Sequence, residues 1–199
     1  MRRLLIVVPP LLMLCACVSM KAPSRAATTK SQSVARRNHQ VQAITRWSVS
    51  GALSMKTPTK GYLLNYRWQQ KQNQYWLDVS SALNAYGFKL YGRPGYVELT
   101  SDHEAPIHAK SAAALLEKMT QWHLPVDPLS FWLRALPDPS HPFNSQLNPF
   151  GLYREIIQDG WRIEYLSYQA VNGVNWPKLM RISRNNLQIK MVMKHWTLE

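Results

Sequence analysis

The strongest constraint on the fold is an alternation of bulky and small side chains that begins at Trp47. In this first stretch Trp47, Val49, Leu53 and Met55 alternate with serines and Ala52. Successive side chains of a strand point to opposite faces, so a period of two predicts a strand with one buried face. A chain built from such strands needs a second layer to cover the apolar face of its sheet.

The alternation recurs several times, interrupted by short segments rich in Gly, Pro, Asn and Gln. Turns are predicted at Lys56–Gly61, Gln69–Gln74 and Gly92–Gly95. Connections this short join neighbouring antiparallel strands, which predicts a meander. Further strands are predicted at residues 62–68, 75–79, 88–91, 96–100, 152–158, 161–168, 179–183 and 187–196.

Three segments have helical patterns. One helix is expected at Ser33–Thr45 and a second at Ala112–Trp122, where Ser111 is a suitable cap. Asp127 and Pro128 precede a third helix at Leu129–Ala135. A loop is expected at Leu136–Pro149, which contains four prolines. Strands, then helices, then strands predict one α+β domain over residues 34–199, with the antiparallel sheet curled into a barrel-like form.

The first 16 residues have the pattern of an export signal. Arg2 and Arg3 precede an apolar stretch from Leu4 to Leu14 that contains two prolines. This stretch is shorter than the roughly 20 apolar residues that span a bilayer. Residues 1–16 are therefore predicted to be a signal peptide that is removed; an ordinary signal with two incidental cysteines is the alternative.

The signal ends in a sequence that resembles the lipobox of bacterial lipoprotein precursors. Leu14 and Ala16 occupy the aliphatic and small positions before Cys17, whereas Cys15 lacks a small residue before it. The resemblance implies that Cys17 is lipidated and begins the mature chain. Val18 follows it, rather than the Asp that retains lipoproteins in the inner membrane, so delivery to the outer membrane is expected. Residues 17–33 then form a flexible tether, and no cysteine remains for a disulfide.

The charge balance is strongly basic, with 24 Lys and Arg against 11 Asp and Glu. Export argues against nucleic acid as the partner, and the chain contains no run of five basic residues. Anionic phospholipids are a better physical match, since each nearby basic side chain adds about 1 kcal/mol. The basic charge is explained equally well if its only role is to keep the protein soluble.

Motifs for catalysis are not found. None of the six histidines pairs with a Glu in the helical spacing of a zinc hydrolase, and no nucleophile elbow or glycine-rich phosphate loop occurs. His103 and His108 flank Glu104 in what is expected to be a solvated loop rather than a metal site. Glu98, Asp102 and Glu104 are the densest carboxylates, and a two-acid glycosidase site could in principle use them. Turns are normally acidic, however, and this favours a structural interpretation. The sequence predicts no enzyme, no metal and no cofactor.

Eight tryptophans and nine tyrosines give the chain much bulky apolar surface. A curved sheet with an apolar concave face is filled either by its own side chains or by a ligand such as an acyl chain. Periodicity does not distinguish the two. One loop, Ser80–Gly87, joins two strands and has Leu83 at its apex, where an apolar side chain suits contact with a membrane.

Over nearly its whole length the chain resembles the LolB family of outer-membrane lipoprotein receptors. The resemblance depends on the order and spacing of motifs that are weak singly. Besides the lipobox at Cys17 and the Leu83 loop, they are Trp47-x-x-x-Gly51, Tyr66-x-Trp68-Gln69-Gln70, Arg93-Pro94-Gly95, Leu124-Pro125-x-x-x-Leu129-x-x-Trp132-Leu133, Gly160-Trp161-x-x-x-Tyr165-x-x-Tyr168, Pro177-x-x-Met180 and Leu187-x-Ile189-Lys190 to Trp196.

The resemblance implies an open half-barrel with a helical lid over a hydrophobic cavity. It implies a monomer in the outer membrane that takes the acyl chains of client lipoproteins from the periplasmic carrier LolA and inserts them among the membrane phospholipids without ATP. Leu83 occupies the position of the family's membrane-inserting leucine, although Ala82 and Asn84 replace the usual Pro and Gly. Candidate cavity residues are Trp47, Val49, Leu64, Tyr66, Trp68, Leu115, Leu116, Trp132, Ile163 and Tyr165. A structural or glycolipid-binding lipoprotein is the alternative.

Overall fold

The computed structural model describes the chain from residue 25 to 199, apart from residues 82–85, 102–103 and 121–124. For residues 25–33, 104 and 117–120 it describes the backbone alone. Two of the predicted functional residues, Cys17 and Leu83, lie outside the described residues, as does the predicted signal peptide.

Eleven strands of the described chain form one antiparallel sheet, in which nearly all neighbours along the chain are also neighbours in space. The sheet order is β6-β5-β4-β3-β2-β1-β11-β10-β9-β8-β7, so β6 and β7 are the two edges and the sheet is not closed. The strands are β1 (Arg46–Lys56), β2 (Gly61–Lys71), β3 (Gln74–Ser81), β4 (Gly87–Arg93), β5 (Tyr96–Ser101), β6 (Glu104–Ala109), β7 (Phe143–Leu147), β8 (Tyr153–Gln158), β9 (Trp161–Val171), β10 (Val174–Arg184) and β11 (Leu187–Leu198).

Tight turns explain why the strands pair with their neighbours. Asp159 and Gly160 join β8 to β9 with φ values of 51° and 75°, and Asn172 and Gly173 join β9 to β10 with 50° and 76°. Two consecutive residues with positive φ match the twist of the flanking strands, and Asn-Gly and Asp-Gly adopt this conformation most easily. The predicted antiparallel meander is therefore confirmed.

Two strands were not expected, and they are the two edges of the sheet. Glu104–Ala109, interpreted above as a solvated loop, is β6, and Phe143–Leu147, placed above in a loop, is β7. β6 contains Pro106, a residue that edge strands tolerate because one side of the strand needs no hydrogen-bonding partner. β7 is exposed from Phe143 to Gln146. A strand that is exposed like β7 shows no alternation of apolar and polar residues in its sequence.

The helices differ from the predicted ones mainly at their ends. They are α1 (Arg25–Gln42), α2 (Ala112–Thr120) and α3 (Val126–Trp132). α1 begins two residues after Pro23, inside the segment expected to be a tether, because no glycine or proline interrupts residues 25–42. α3 begins and ends three residues earlier than predicted. Pro125 precedes its first turn, and the positive φ of Ala135, 50°, prevents continuation.

One face of the sheet is buried and the other faces solvent. In β2, Tyr66 and Trp68 are buried while Asn65, Arg67 and Gln69 are exposed. α2 and α3 pack over the buried face, where they share one hydrophobic core with the strands. This is the predicted α+β arrangement. None of the helices in the described part of the chain is long and apolar enough to cross a membrane.

A close approach between β1 and β11 requires Gly51. The pairing of the two strands shifts register between Ser50 and Gly51, and a Cβ atom at Gly51 would overlap the main-chain oxygen of Val192. A bulge of this kind bends a strand and increases its twist. Gly51 therefore contributes to the curvature with which the sheet wraps its buried face.

Candidate functional site

An apolar cavity of about 180 Å³ lies between the buried face of the sheet and helices α2 and α3. The sheet contributes side chains from β1 to β4, β10 and β11, and the helical side contributes Leu116, Pro125, Val126 and Leu129. The other lining residues are Leu53, Met55, Tyr62, Leu64, Tyr66, Trp68, Leu77, Val79, Ser80, Tyr86, Gly87, Phe88, Ile182, Ile189 and Met191.

The cavity occupies one end of the sheet because aromatic side chains fill the other. Trp47 stacks on Trp68 with ring centroids 6.3 Å apart, and Trp68 stacks on Tyr75 at 5.0 Å. Trp196 packs against Trp47 at 5.6 Å. Trp68 also lines the cavity and so forms its floor. The interior of the curved sheet is therefore filled on one side of Trp68 and left partly open on the other.

Helix α3 is hydrogen-bonded at its last residue and contacts the cavity with apolar side chains. At its last residue the Trp132 Nε1 donates to Gln158 Oε1 at 2.9 Å, and the Tyr165 hydroxyl donates to the Trp132 main-chain oxygen at 2.9 Å. Val126 and Leu129, nearer its start, line the cavity with apolar side chains. This arrangement places a natural pivot at Trp132 if the helix moves away from the sheet.

The cavity reaches the surface next to the β3–β4 loop. Tyr86, the first described residue after residues 82–85, lines the cavity and is 57% exposed. Hydrogen bonds tie it to the end of β3: the Ser81 N–H donates to the Tyr86 main-chain oxygen at 2.9 Å, and the Tyr86 N–H donates to Ser81 Oγ at 3.3 Å. The loop that carries Leu83 thus begins and ends at the cavity mouth.

No charged side chain lines the cavity in the described part of the chain. Its most polar buried group is the Tyr66 hydroxyl, which donates to the Val192 main-chain oxygen at 3.3 Å. Burial raises the pKa of Tyr66 far above its ordinary value, so the phenol stays neutral. The cavity therefore suits an apolar ligand.

Four of the ten predicted cavity residues line the cavity: Leu64, Tyr66, Trp68 and Leu116. Five others, namely Val49, Leu115, Trp132, Ile163 and Tyr165, are buried in the same core but do not line it. Trp47 is also buried and lines a separate cleft, described below. All ten therefore belong to the same hydrophobic core, and six of them lie outside the wall of this cavity.

Sequence reasoning missed most of the aliphatic lining. Leu53 and Met55 continue the alternation that begins at Trp47, and Ile189 and Met191 have the same phase in β11. Their period was visible in the sequence, whereas their position at the unfilled end of the sheet was not. Val126 and Leu129 were missed because α3 was predicted to start at Leu129.

Of the three carboxylates considered above, Glu98 is the one whose side chain the structure describes. Glu98 accepts a hydrogen bond from the Tyr96 hydroxyl at 2.9 Å, and its carboxylate lies 3.6 Å from His108 Nδ1, on the solvent face of the sheet. Asp102 and the side chain of Glu104 lie outside the described residues. Among the described residues, none that lines the apolar cavity is a carboxylate.

An open antiparallel sheet that wraps an apolar cavity beneath two helices defines a class of proteins that shield an apolar ligand from water. The profile of one family, described as "Outer membrane lipoprotein LolB", matches residues 45–196. The chain belongs to this family. Membership makes it an outer-membrane lipoprotein receptor of the Lol lipoprotein-sorting pathway, as the motifs led us to expect.

Relatives of the same name are similar along almost the whole chain. The outer-membrane lipoprotein LolB of Nitrosococcus oceani is 32% identical over 98% of this chain and 98% of its own. That of Cellvibrio japonicus is 30% identical over 90% of this chain and 91% of its own. That of Coxiella burnetii is 28% identical over 93% of this chain and 88% of its own.

Solved structures share the fold at low sequence identity. A LolA superfamily protein from Nitrosomonas europaea superposes with a TM-score of 0.56 at 9% identity, covering 85% of this chain and 93% of its own. A DUF1329 family protein from Desulfovibrio piger gives 0.55 at 7% identity, covering 86% and 92%. These similarities confirm the predicted architecture of an unclosed antiparallel sheet with a few helices.

Proposed function

We propose that the apolar cavity receives the acyl chains of lipoproteins from the soluble carrier LolA and delivers them to the outer membrane without ATP. The observation that carries this proposal is the wholly apolar cavity whose mouth lies beside the β3–β4 loop. A ligand of acyl chains matches such a wall, and delivery requires the mouth to approach a membrane. The protein acts as a binding and transfer site, with no catalytic step.

The energy of shielding explains why a receptor is needed. Each CH₂ group removed from water contributes about 0.8 kcal/mol, so free passage of several acyl chains through the periplasm is prohibitive. Transfer with the mouth of the carrier against the mouth of the receptor keeps most of each chain dry. Transfer then proceeds in one direction if each acceptor binds the acyl chains more tightly than the donor before it. A difference of about 1.4 kcal/mol in binding free energy gives a tenfold preference.

The cavity has to widen to accept a whole chain. A volume of about 180 Å³ is comparable with the roughly 150 Å³ apolar cavity that holds one benzene molecule. Movement of α2 and the start of α3 away from the sheet would enlarge it, because Leu116, Val126 and Leu129 present apolar side chains to the cavity there. The hydrogen bonds at Trp132 would stay intact and act as the pivot.

Two residues outside the described part complete the proposal. Lipidation of Cys17 would hold the receptor at the outer membrane, facing the periplasm. Leu83 would enter the membrane and lead the client's chains from the nearby mouth into the lipid. The ends of its loop are positioned by the hydrogen bonds between Ser81 and Tyr86.

A transfer assay tests the proposal directly. A radiolabelled lipoprotein in complex with purified LolA is mixed with the purified chain without nucleotide, and the complexes are then separated. We expect the label to move to this protein. Label that stays on the carrier, while the protein is folded by circular dichroism, contradicts acceptance and favours the alternative of a structural or glycolipid-binding lipoprotein.

A further inference from the structure

A second concave site, which we call the polar cleft, lies at the opposite end of the sheet from the cavity mouth. It has a volume of about 730 Å³ and is bounded by the end of α1, the outer side of α3 and the strand ends around Arg93. α3 separates the two sites, because Val126 and Leu129 line the cavity whereas Asp127, Ser130 and Phe131 line the cleft.

Two side chains in the wall of the polar cleft carry buried polar hydrogens without an acceptor. Trp47 is 3% exposed and Tyr75 is 8% exposed. Within the described chain, the Trp47 Nε1 and the Tyr75 hydroxyl have no hydrogen-bonding partner. A native fold rarely leaves a buried donor unpaired, so such a donor calls for an explanation.

The polar cleft is also cationic. Among its described lining residues, Arg93, Lys110 and Arg134 are basic and Asp127 is acidic. The Arg134 guanidinium lies 5.5 Å from the centre of the Trp47 ring and 5.7 Å from that of Phe131. Arg93 and Lys110 are exposed at the rim. Basic groups of this kind attract an anion from solvent toward the two unpaired donors.

From these observations we infer that the polar cleft binds a phosphate group, either free or as part of a phospholipid headgroup. A phosphate carries several strong acceptor oxygens, enough for two neutral donors and more than one cation, whereas a carboxylate has two. The planar guanidinium of arginine suits phosphate geometry. The two donors are shielded from bulk water, so the phosphate reaches them by displacing neighbouring side chains.

The test follows the indole N–H signal of Trp47 by ¹⁵N NMR in the purified full chain, with Trp47→Phe used to assign it. The protein is titrated with inorganic phosphate, with glycerophosphoglycerol as a soluble headgroup, with acetate, and with chloride at matched ionic strength. We expect a saturable shift with a phosphate compound and none with chloride. Binding of glycerophosphoglycerol identifies a headgroup site, and binding of inorganic phosphate alone identifies a site for the free ion.

Two variants distinguish phosphate binding in the polar cleft from a general effect of substitution on the protein. Tyr75→Phe removes one donor and keeps the ring, and it should weaken phosphate binding about tenfold, since hydrogen bonds to charged groups are the strong ones. Trp176→Phe is the matched control, because the Trp176 Nε1 is also buried and unpaired but Trp176 does not line the cleft. Its phosphate affinity should be unchanged.

Three results overturn the inference. One is a Trp47 signal that does not saturate with either phosphate compound, and another is an equal response to acetate. The third is an equal loss of affinity in Tyr75→Phe and Trp176→Phe. The titration of the unaltered protein gives its answer even if a variant does not fold. No lipoprotein is present, so the outcome is independent of lipoprotein transfer.

Discussion

Arg37, in α1, and Arg134, two residues after α3, each donate to main-chain carbonyl groups close to the other. Arg37, in α1, donates to the main-chain oxygens of Arg134 at 2.5 Å and Ala135 at 2.8 Å, directly after α3. Arg134 donates to the oxygens of Val41 at 3.5 Å and Ile44 at 3.4 Å, at the end of α1. The last carbonyls of a helix lack partners within it and carry partial negative charge, which favours a cation there. This reciprocal contact fixes α1 to the end of α3 that we identify as the pivot.

The first prediction is that Arg37→Met destabilises the protein by about 2–4 kcal/mol, because it leaves several buried carbonyl groups without donors. Arg37 is 7% exposed and also donates to the Asn175 oxygen at 3.0 Å. Burial lowers the pKa of Arg37 from its ordinary value, which shows that this cation is held at a desolvation cost. Urea unfolding measures the change. Arg36→Met, at an exposed position of the same helix, is the control and should unfold like the unaltered protein; equal midpoints for both variants would contradict the prediction.

The second prediction concerns Gln158, a buried amide whose hydrogen bonds hold the pivot. Its Oε1 accepts from Trp132 Nε1 at 2.9 Å and from the Asp138 N–H at 3.0 Å. Its Nε2 donates to the Asp138 and His141 oxygens at 2.8 and 2.9 Å. Gln158→Met keeps the length of the side chain and should lower the free energy of unfolding by about 3 kcal/mol. The groups that pair with the Gln158 amide would stay buried and lose their hydrogen bonds. Thermal unfolding is the measurement, with exposed Gln188→Met as control. A loss in Gln158→Met no larger than in the control would show that Gln158 does not hold the pivot.

The period of two in the sequence was sufficient to predict nine of the eleven described strands and the antiparallel meander that the first five of them form. It failed at β6 and β7 for different physical reasons: β7 is exposed along most of its length, and in β6 the apolar positions that pack against the core, Ile107 and Ala109, are too few to show a period. Pro106 in β6 and the polar run from Asn144 to Gln146 in β7 remove the remaining strand signal. The third helix was predicted from the start signal at Asp127 and Pro128, and its ends were displaced because local main-chain geometry at Pro125 and Ala135 decides them.

The cavity was harder to predict than the sheet, because alternation gives the direction of a side chain and not whether the space before it is filled. Trp47 and Leu53 have the same phase in β1, yet Trp47 packs among aromatic rings whereas Leu53 lines the cavity. The difference depends on tryptophans from β2 and β11, which are distant in sequence. Only the assembled sheet shows at which end the interior stays open.

The third prediction uses neighbouring leucines of β2 that point to opposite faces. Leu64 lines the cavity, whereas Leu63 is 65% exposed on the solvent face. Leu64→Trp should fill the cavity and reduce the binding of a fluorescent fatty acid by about tenfold or more, at a stability cost of about 1–3 kcal/mol. Leu63→Trp adds the same side chain outside the cavity and should bind the probe normally. Equal binding by both variants would show that the probe does not occupy this cavity.

The fourth prediction separates acceptance from insertion. Leu83→Glu places a charge at the predicted apex of the segment between β3 and β4, and a charge is costly to bring into a bilayer. We expect this variant to take a labelled lipoprotein from LolA as efficiently as the unaltered protein and then to fail to release it into liposomes. Leu63→Glu introduces the same charge on the exposed face of β2 and should both accept and release. If Leu83→Glu releases its client normally, the loop has no part in insertion.

The fifth prediction concerns the lipid anchor at Cys17, for which Cys15, two residues earlier, provides the control. Cys17→Ala should abolish lipidation, so the protein should fractionate with the periplasm, and mass spectrometry should find no acyl groups on it. Cys15→Ala should stay in the outer membrane, because Leu14 and Ala16 still precede Cys17 as a lipobox requires. One acyl chain alone gives only reversible membrane binding, so stable attachment depends on the several chains of a lipidated cysteine. Loss of attachment in Cys15→Ala, with Cys17→Ala unaffected, would move the lipidation site to Cys15.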